Sequence, residues 1–179
     1  MANIVYIATS IDGYISAPDG SLDWLDCVPN PDDDDLGFYS FIERVDAIVM
    51  GRITFETVVG FGLGWHYPVP GIILSTTLDA VPEGFEDKVQ LARGSADDIV
   101  QLAHTQGYTN LYIDGGNTIQ RFLQVDLIDE MIITEIPILL GGGDRLFGHL
   151  DQQMRFHLVE TETLLGQLVK RHYRRHPEH

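Results

Sequence analysis

Short, strongly apolar runs alternate with helical patterns along this chain, and this alternation limits the possible folds more than any other feature of the sequence. Such runs, rich in Ile, Val and Leu, occupy residues 3–9, 47–50, 72–75 and 111–113. Continuous apolar runs of this length are typical of strands that are covered on both faces. Strands that are joined through helices pair in parallel. The sequence therefore predicts an α/β fold with a mostly parallel central sheet flanked by helices.

Helical patterns lie between these strands. Ser95 is a predicted N-cap, and acidic residues follow it in the first turn of its helix. Helices are predicted at 54–59, at 96–104 and over a segment that ends near residue 123. A further helix is predicted after the acidic run 32–35, where apolar residues have helical spacing at Leu36, Tyr39, Ile42 and Val45.

The C-terminal part of the chain predicts an antiparallel edge to the sheet. A long apolar strand over 127–140 is interrupted by Pro137 and ends in a run of three glycines. Residues 155–162 and 167–173 bracket Gly166, which predicts a closing antiparallel hairpin.

Length and charge exclude several kinds of protein. The 179 residues predict one domain over 1–179, and the formal net charge of −16 repels nucleic acid and anionic membrane surfaces. The single cysteine, Cys27, fits a reducing compartment, and the sequence has neither a signal-peptide pattern nor an apolar run of roughly 18 residues. We therefore expect a cytoplasmic protein. No Cys or His cluster has ligand spacing, so no metal is expected.

Three predicted strands end in residues that suit phosphate binding. Gly51-Arg52 and Gly115-Gly116 each connect a strand to a helix, and Ser75-Thr76 follows a third strand. Parallel sheets bind ligands beyond the carboxyl ends of their strands, and helix N-termini attract anions. Each motif alone is explained at least as well by a tight turn or a solvated arginine. The Gly-Gly pair also lacks the G-x-G-x-x-G spacing of the standard dinucleotide-binding fold.

The order of these motifs resembles the dihydrofolate reductase superfamily over almost the whole chain. The matching motifs are Ile7-Ala8, Asp12-Gly13-Tyr14-Ile15, Trp24, Gly51-Arg52-x-Thr54-x-Glu56, Leu74-Ser75-Thr76 and Gly115-Gly116. The segment Ile138-Leu139-Leu140-Gly141-Gly142-Gly143-x-x-Leu146-Phe147 is more similar to the reductase domain of bacterial riboflavin biosynthesis, the RibD C-terminal domain.

The resemblance implies NADPH as the cofactor. The residues that would line the nicotinamide are Ala8 and Ile15. Those that would hold the pyrophosphate and 2′-phosphate side are Gly51, Arg52 and Thr54. The adenosine half would contact Leu74, Ser75 and Thr76, and the pyrophosphate would be held from its other side by Gly115, Gly116, Asn117 and Thr118.

The resemblance also implies a substrate site around Asp35. This residue matches the acid that binds the pterin ring in folate reductases, where a carboxylate accepts hydrogen bonds from an N–C–N edge. Phe38 and Tyr39 would share its helix face and pack on a flat ring, and Trp24 belongs to the same implied site. From the residues alone, a solvated helix start at 32–35 is an equally good interpretation, and the register within that run stays open.

The resemblance therefore predicts an NADPH-dependent reductase of a small pteridine or pyrimidine, similar to the aminouracil reductases of riboflavin biosynthesis. Two alternatives remain: a non-catalytic, dimeric nucleotide-binding protein, and a true dihydrofolate reductase. A homodimer is expected, because relatives of the riboflavin type pair through their sheets. The apolar strand over 132–140 and the glycines that follow it are the expected contact region.

Overall fold

The computed structural model describes residues 1–176, and its centre is one eight-stranded sheet. The strands are β1 (Ala2–Ser10), β2 (Ala47–Gly51), β3 (Gly71–Leu74), β4 (Val89–Ala92), β5 (Asn110–Asp114), β6 (Glu130–Ile136), β7 (Phe156–Leu164) and β8 (Leu168–Arg175). The helices are α1 (Phe38–Ile42), α2 (Arg52–Gly60), α3 (Ala96–Thr105) and α4 (Gly116–Gln124), and a 3₁₀ turn spans Asp23–Asp26.

The strands lie across the sheet in the order β4-β3-β2-β5-β1-β6-β8-β7. The first six strands of this order are parallel to one another, whereas β8 and β7 are antiparallel to their neighbours. The predicted α/β architecture with a C-terminal antiparallel hairpin is thus confirmed. The carboxyl ends of five parallel strands, β1 to β5, meet at one edge of the sheet, which is where such sheets bind ligands.

Helices cover both faces of the parallel part of the sheet. One face packs against α3 and α4 through residues that include Ile99 and Phe122, and the other packs against α1 and α2 through residues that include Phe41 and Phe55. Phe55 and Phe122 are fully buried. Burial of a side chain of this size contributes about 1.5–3 kcal/mol to stability. The continuous apolar runs of the sequence are explained by this cover on both faces.

Strand β4 has no counterpart among the predicted elements. Its four residues, Val89–Ala92, pair in parallel with β3 at the edge of the sheet. A segment this short carries no readable periodicity, and it becomes a strand because β3 offers an open row of backbone hydrogen-bonding groups. Missing this strand in the sequence also hides the position of Arg93, which directly follows β4 at the carboxyl edge of the sheet.

The helix that was predicted after the acidic run is shorter than expected. It begins only at Phe38, because Leu36 (φ 57°) and Gly37 (φ 89°) adopt left-handed backbone conformations that interrupt a right-handed helix. Asp35 precedes the helix, and its carboxylate accepts hydrogen bonds from the backbone N–H groups of Gly37 (3.1 Å) and Tyr39 (2.7 Å). The prediction that Asp35 shares a helix face with Phe38 and Tyr39 is therefore wrong.

Strand β6 lies inside the sheet, with β1 on one side and β8 on the other. Both of its edges are hydrogen-bonded, so it offers no free edge for pairing with a second copy. The expected contact region over 132–140 therefore does not provide a sheet edge. The outermost strand beyond it is β7, whose residues are mostly exposed.

Candidate functional site

A cavity of about 870 Å³ runs along the carboxyl ends of the parallel strands. It is bounded by the ends of β1 to β5 and by the first turns of α2 and α4. Every residue that the resemblance assigns to a cofactor lines this cavity, namely Ala8, Ile15, Gly51, Arg52, Thr54, Leu74, Ser75, Thr76, Gly115, Gly116, Asn117 and Thr118. Motifs that are far apart in the sequence are thus neighbours around one space.

The starts of α2 and α4 fit closely together at this cavity. A Cβ atom on Gly51 would lie 3.1 Å from Oγ1 of Thr118, and one on Gly115 (φ 92°) would collide with Oγ1 of Thr54. Glycine is needed at position 115, where φ is positive and Thr54 fills the space of a side chain, whereas at position 51 a Cβ atom would require Thr118 to shift by a few tenths of an ångström. No side chain of the described residues caps either helix, so their first N–H groups remain available to an anion.

Four of the described arginines line the cavity, and three of them are already engaged. Arg145 donates to the Tyr14 hydroxyl at 3.0 Å. Arg52 is paired with Glu56, whose two carboxylate oxygens lie 2.9 and 2.8 Å from Nη1. Arg121 donates to the carbonyl oxygen of Gly94 at 2.7 Å. Arg93 lines the same cavity and has no hydrogen bond or ion pair with any residue from 1 to 176. Arg93 is therefore the arginine most available to a phosphate. The sequence did not indicate a role for it, because strand β4, which carries it to the cavity, was not predicted.

Asp114 provides a carboxyl group inside the cavity. It ends β5, and it points to the sheet face of α1 and α2 because Tyr112, two residues earlier, packs there. Burial raises the pKa of Asp114 to about 6, against an opposing hydrogen bond from the Gly115 N–H (2.9 Å). An acid directly before a Gly-Gly pair at a strand end was the signal that could have identified it.

Of the residues that the resemblance assigns to the substrate, only Phe38 lines the cavity. Asp35 is exposed, and the backbone N–H groups of Tyr39 and Gly37 lower its pKa by stabilising the carboxylate. The Tyr39 side chain is 69% exposed and lies outside the cavity. The carboxylate of Asp35 therefore stabilises the start of α1 in this structure.

Trp24 is also outside the cavity lining. It is buried in a small cluster with Val28, Ile136 and Leu168, while its sequence neighbours Leu22 and Leu25 line the cavity. Its indole N–H is buried without a hydrogen-bond partner among the residues that the structure describes. The position of Trp24 supports the loop that carries the wall.

Asp12 connects the loop after β1 to the glycine loop after β6. Its carboxylate accepts hydrogen bonds from the Ser10 hydroxyl (2.5 Å) and from the backbone N–H groups of Gly141 (2.8 Å) and Leu140 (3.1 Å). These bonds, with that of Ser10 first, lower the pKa of Asp12 to about 2. The carboxylate therefore stays ionised and holds the two loops together at neutral pH.

The same two loops meet again beside the helix start of α4. The Ser16 hydroxyl donates to Asp144 at 2.8 Å, and a Cβ atom on Gly143 (φ 116°) would collide with the carbonyl oxygen of Ser16. These two contacts hold the segment that contains Ile15. The Cδ1 atom of Ile15 would lie 2.7 Å from a Cβ atom on Gly116. The glycine loop thus positions the wall of the cavity.

Two classes of feature are absent from residues 1–176. No group of three or more His, Cys, Asp or Glu side chains is arranged to hold a metal ion. None of the described helices combines the length and apolarity that crossing a membrane requires.

Comparison with known proteins places the chain among relatives of similar length. Residues 3–170 match the RibD C-terminal domain. The chain is 34% identical over 173 residues to the uncharacterized protein YwjB of Bacillus subtilis (strain 168), with 95% of each chain covered. A crystal structure from Shewanella sp. PV-4, provisionally named a riboflavin biosynthesis protein, superposes with a TM-score of 0.96 at 51% identity and covers 99% of this chain and 100% of its own.

A more distant structure shares the fold alone. The dihydrofolate reductase from Enterococcus faecalis, complexed with NADP(H) and RAB-propyl, superposes with a TM-score of 0.68 at 20% identity, over 98% of this chain and 97% of that one. The eight-stranded sheet is thus the dihydrofolate reductase-like fold, and the chain belongs to the RibD C-terminal domain family.

Proposed function

We propose that the chain is an NADPH-dependent reductase that transfers hydride to a small pteridine- or pyrimidine-type heterocycle, in the manner of a 5-amino-6-(5-phosphoribosylamino)uracil reductase. The observation that carries this proposal is the pair of uncapped helix starts, α2 and α4, that meet at one cavity beside Asp114. Two helix N-termini suit the two phosphates of a pyrophosphate. A shielded carboxyl group suits proton handling at a ring nitrogen.

The residues around the cavity fit a nicotinamide dinucleotide phosphate. A Cβ atom on Gly51 or Gly115 would press on Thr118 or Thr54 and so disturb the two helix starts whose N–H groups would hold the pyrophosphate. Following the resemblance, Ser75 and Thr76 would hold the adenosine half, and Ala8 with Ile15 would hold the nicotinamide. When bound, NADPH supplies the hydride, and the protein supplies orientation and electrostatics.

We assign the substrate proton to Asp114. Reduction of a ring C=N bond adds hydride to carbon and a proton to nitrogen. With a pKa of about 6, the carboxyl group of Asp114 holds or releases a proton near neutral pH, which favours general acid catalysis. Asp114 therefore takes the role that the resemblance gave to Asp35, because Asp114 lines the cavity and Asp35 does not.

The 2′-phosphate distinguishes NADPH from NADH, and we propose that Arg93 binds it. The resemblance assigned this contact to Arg52, but Nη1 of Arg52 is paired with Glu56, whereas the guanidinium of Arg93 has no ion pair with any residue from 1 to 176. Loss of a charge-assisted contact costs roughly 1.5–3 kcal/mol, or about tenfold to a hundredfold in affinity. Calorimetric titration of the Arg93→Ala variant is expected to show this loss for NADPH and little change for NADH.

Two further variants make this titration decisive. Arg52→Ala tests the contact that the resemblance implies, and Arg155→Ala removes the charge of an exposed arginine outside the cavity. Arg155→Ala is expected to bind both cofactors like the wild type. If the wild type binds NADPH and NADH equally well, the assignment of the cofactor is wrong.

Turnover is tested by following NADPH oxidation with a panel of pterins, dihydrofolate and aminouracils. Oxidation that depends on one of these compounds is the expected result, and Asp114→Asn is expected to slow it by about a hundredfold or more, as loss of a positioned proton donor does. Cofactor binding without turnover on any compound would instead favour a non-catalytic nucleotide-binding protein. Turnover of dihydrofolate alone would favour a folate reductase.

A further inference from the structure

The chain turns into α1 through a corner with an unfavourable backbone conformation. Leu36 and Gly37 both have left-handed backbone angles (φ 57° and 89°), and this region is unfavourable for leucine. Such a conformation persists only where the surrounding structure fixes it, and such residues cluster at functional sites. Phe38, the next residue along the chain, lines the functional cavity. The contacts that hold the corner therefore also bear on the wall of that cavity.

Two side chains from the sheet hold this corner through one carbonyl oxygen. The carbonyl oxygen of Leu36 accepts hydrogen bonds from the Tyr6 hydroxyl at 3.2 Å and from the Lys170 ammonium at 3.0 Å. Lys170 belongs to β8, and its ammonium also pairs with the carboxylate of Glu162 in β7 at 3.1 Å. The C-terminal hairpin is thus connected directly to the segment that begins α1.

A second cavity, of about 210 Å³, lies between α1 and the same hairpin. Side chains therefore do not fill the space behind this helix, and its five residues are too few to form a stable helix alone. The buried residues of α1 are Phe41 and Ile42, at its C-terminal end. Packing anchors that end, whereas the start of the helix depends on the hydrogen bonds of the corner.

We infer that Lys170 is a positioning residue for the functional cavity: its bond to the Leu36 carbonyl oxygen fixes the start of α1 and, with it, the ring of Phe38. This inference rests on the proposed function, because it assigns a residue outside the cavity lining to the same site. The Phe38 ring lies 5.8 Å from the ring of Tyr6 and 6.4 Å from that of Tyr67, and all three residues line the cavity. A shift of the corner would change how the Phe38 ring meets a flat ligand.

Fluorine NMR of protein labelled with 4-fluorophenylalanine tests the positioning without any substrate. Phe38→Leu identifies the Phe38 signal, and Lys170→Met, which removes the ammonium, is expected to shift or broaden that signal. Arg171→Met is the matched control, because it removes the ion pair of the adjacent β8 residue with Glu135 (3.2 Å) and lies outside the lining of both cavities. It is expected to leave the Phe38 signal in place.

Gly37→Ala tests the same contact from the other side. A Cβ atom on Gly37 would lie 2.7 Å from Nζ of Lys170, so the added methyl displaces the ammonium and also strains a positive φ. Gly37→Ala alone is therefore expected to move the Phe38 signal, which keeps the test available if Lys170→Met does not fold. Because the two variants share one contact, Gly37→Ala should lower the urea midpoint less in the Lys170→Met protein than in the wild type.

A compound that the protein reduces extends the test to the reaction. Lys170→Met is expected to raise KM about two- to tenfold, the range of one aromatic contact, and to leave kcat and NADPH affinity unchanged. An unmoved Phe38 signal, additive urea midpoints, or a KM no higher than that of Arg171→Met would each overturn the inference. If no compound is reduced, the proposed function fails, whereas the fluorine signal and the urea midpoints still decide whether Lys170 positions Phe38.

Discussion

Replacing Asp114 by Asn is expected to make the protein more stable at alkaline pH while it impairs the reaction. In the folded state, burial raises the pKa of Asp114 to about 6 from the ordinary value of 3.8. The ionised carboxylate is therefore less favourable in the fold than in the unfolded chain. Asparagine removes this charge and keeps an oxygen that can accept the hydrogen bond from Gly115 N–H.

The magnitude follows from the pKa of Asp114. The rise from 3.8 to about 6 corresponds to about 3 kcal/mol of destabilisation when the carboxyl group is ionised in both states. Because Asp114 is only half-buried at an open cavity, solvent screening reduces the expected gain of Asp114→Asn to about 1–2 kcal/mol. For a chain of this size, the melting temperature would rise by about 2–8 °C.

The stability difference between Asp114→Asn and the wild type should depend on pH, because the pKa of Asp114 differs between the folded and unfolded states. Between about pH 3.8 and pH 6 the folded state binds more protons at Asp114 than the unfolded state does, so this residue makes the wild type less stable as pH rises through that window. The advantage of Asp114→Asn should therefore be complete near pH 8 and lost below about pH 4.

Urea denaturation of both proteins over this pH range measures the difference directly. Asp12→Asn is a control of opposite sign, because hydrogen bonds lower the pKa of Asp12 to about 2 and its loss should destabilise the fold at neutral pH. An Asp114→Asn variant that is no more stable than the wild type near pH 8, or that gains equally at both ends of the range, would refute the reasoning.

Three other outcomes are expected. Ser95→Ala should lower the free energy of unfolding in urea by about 1 kcal/mol, because the Ser95 side chain accepts the Asp98 N–H at 3.2 Å in a capping box. Glu130→Gln should cost roughly 1.5–3 kcal/mol near pH 7, because the amide lacks the negative charge that strengthens the hydrogen bonds from Arg44 (2.9 Å) and His172 (2.7 Å). Burial raises the pKa of Glu130, but hydrogen bonds from Arg44 and His172 outweigh burial and hold it below its usual value, so this cost should shrink as acid protonates Glu130. Light scattering at micromolar concentration should give the mass of a homodimer, and a monomeric mass would contradict that expectation.

The sequence was most informative where local chemistry restricts the backbone. Gly51 and Gly115 were identified at strand ends from their neighbours alone, and the structure has both at the cavity, where a Cβ atom would meet the opposite helix start. Ser95 was recognised as a cap because a hydroxyl before an acidic first turn is a local signal, and the capping box is present. The alternation of apolar runs and helices predicted the α/β sheet for the same reason, since each element carries its own periodicity.

The tertiary structure decided which charged groups belong to the site. Arg93 enters the cavity because the four residues of β4 pair with β3, a contact between segments that no local pattern announces. Asp35 does not line the cavity, because two left-handed residues separate it from α1 and its carboxylate accepts a hydrogen bond from the backbone of that helix.

Asp114 stands in the sequence as an ordinary acid before two glycines. Its raised pKa comes from desolvation at the end of β5, inside a cavity whose other walls come from distant parts of the chain that only folding brings together. A sequence states which groups exist and which local conformations they favour. The desolvation that raises the pKa of one of several acids is a property of the assembled neighbours, and it therefore appears only in the folded chain.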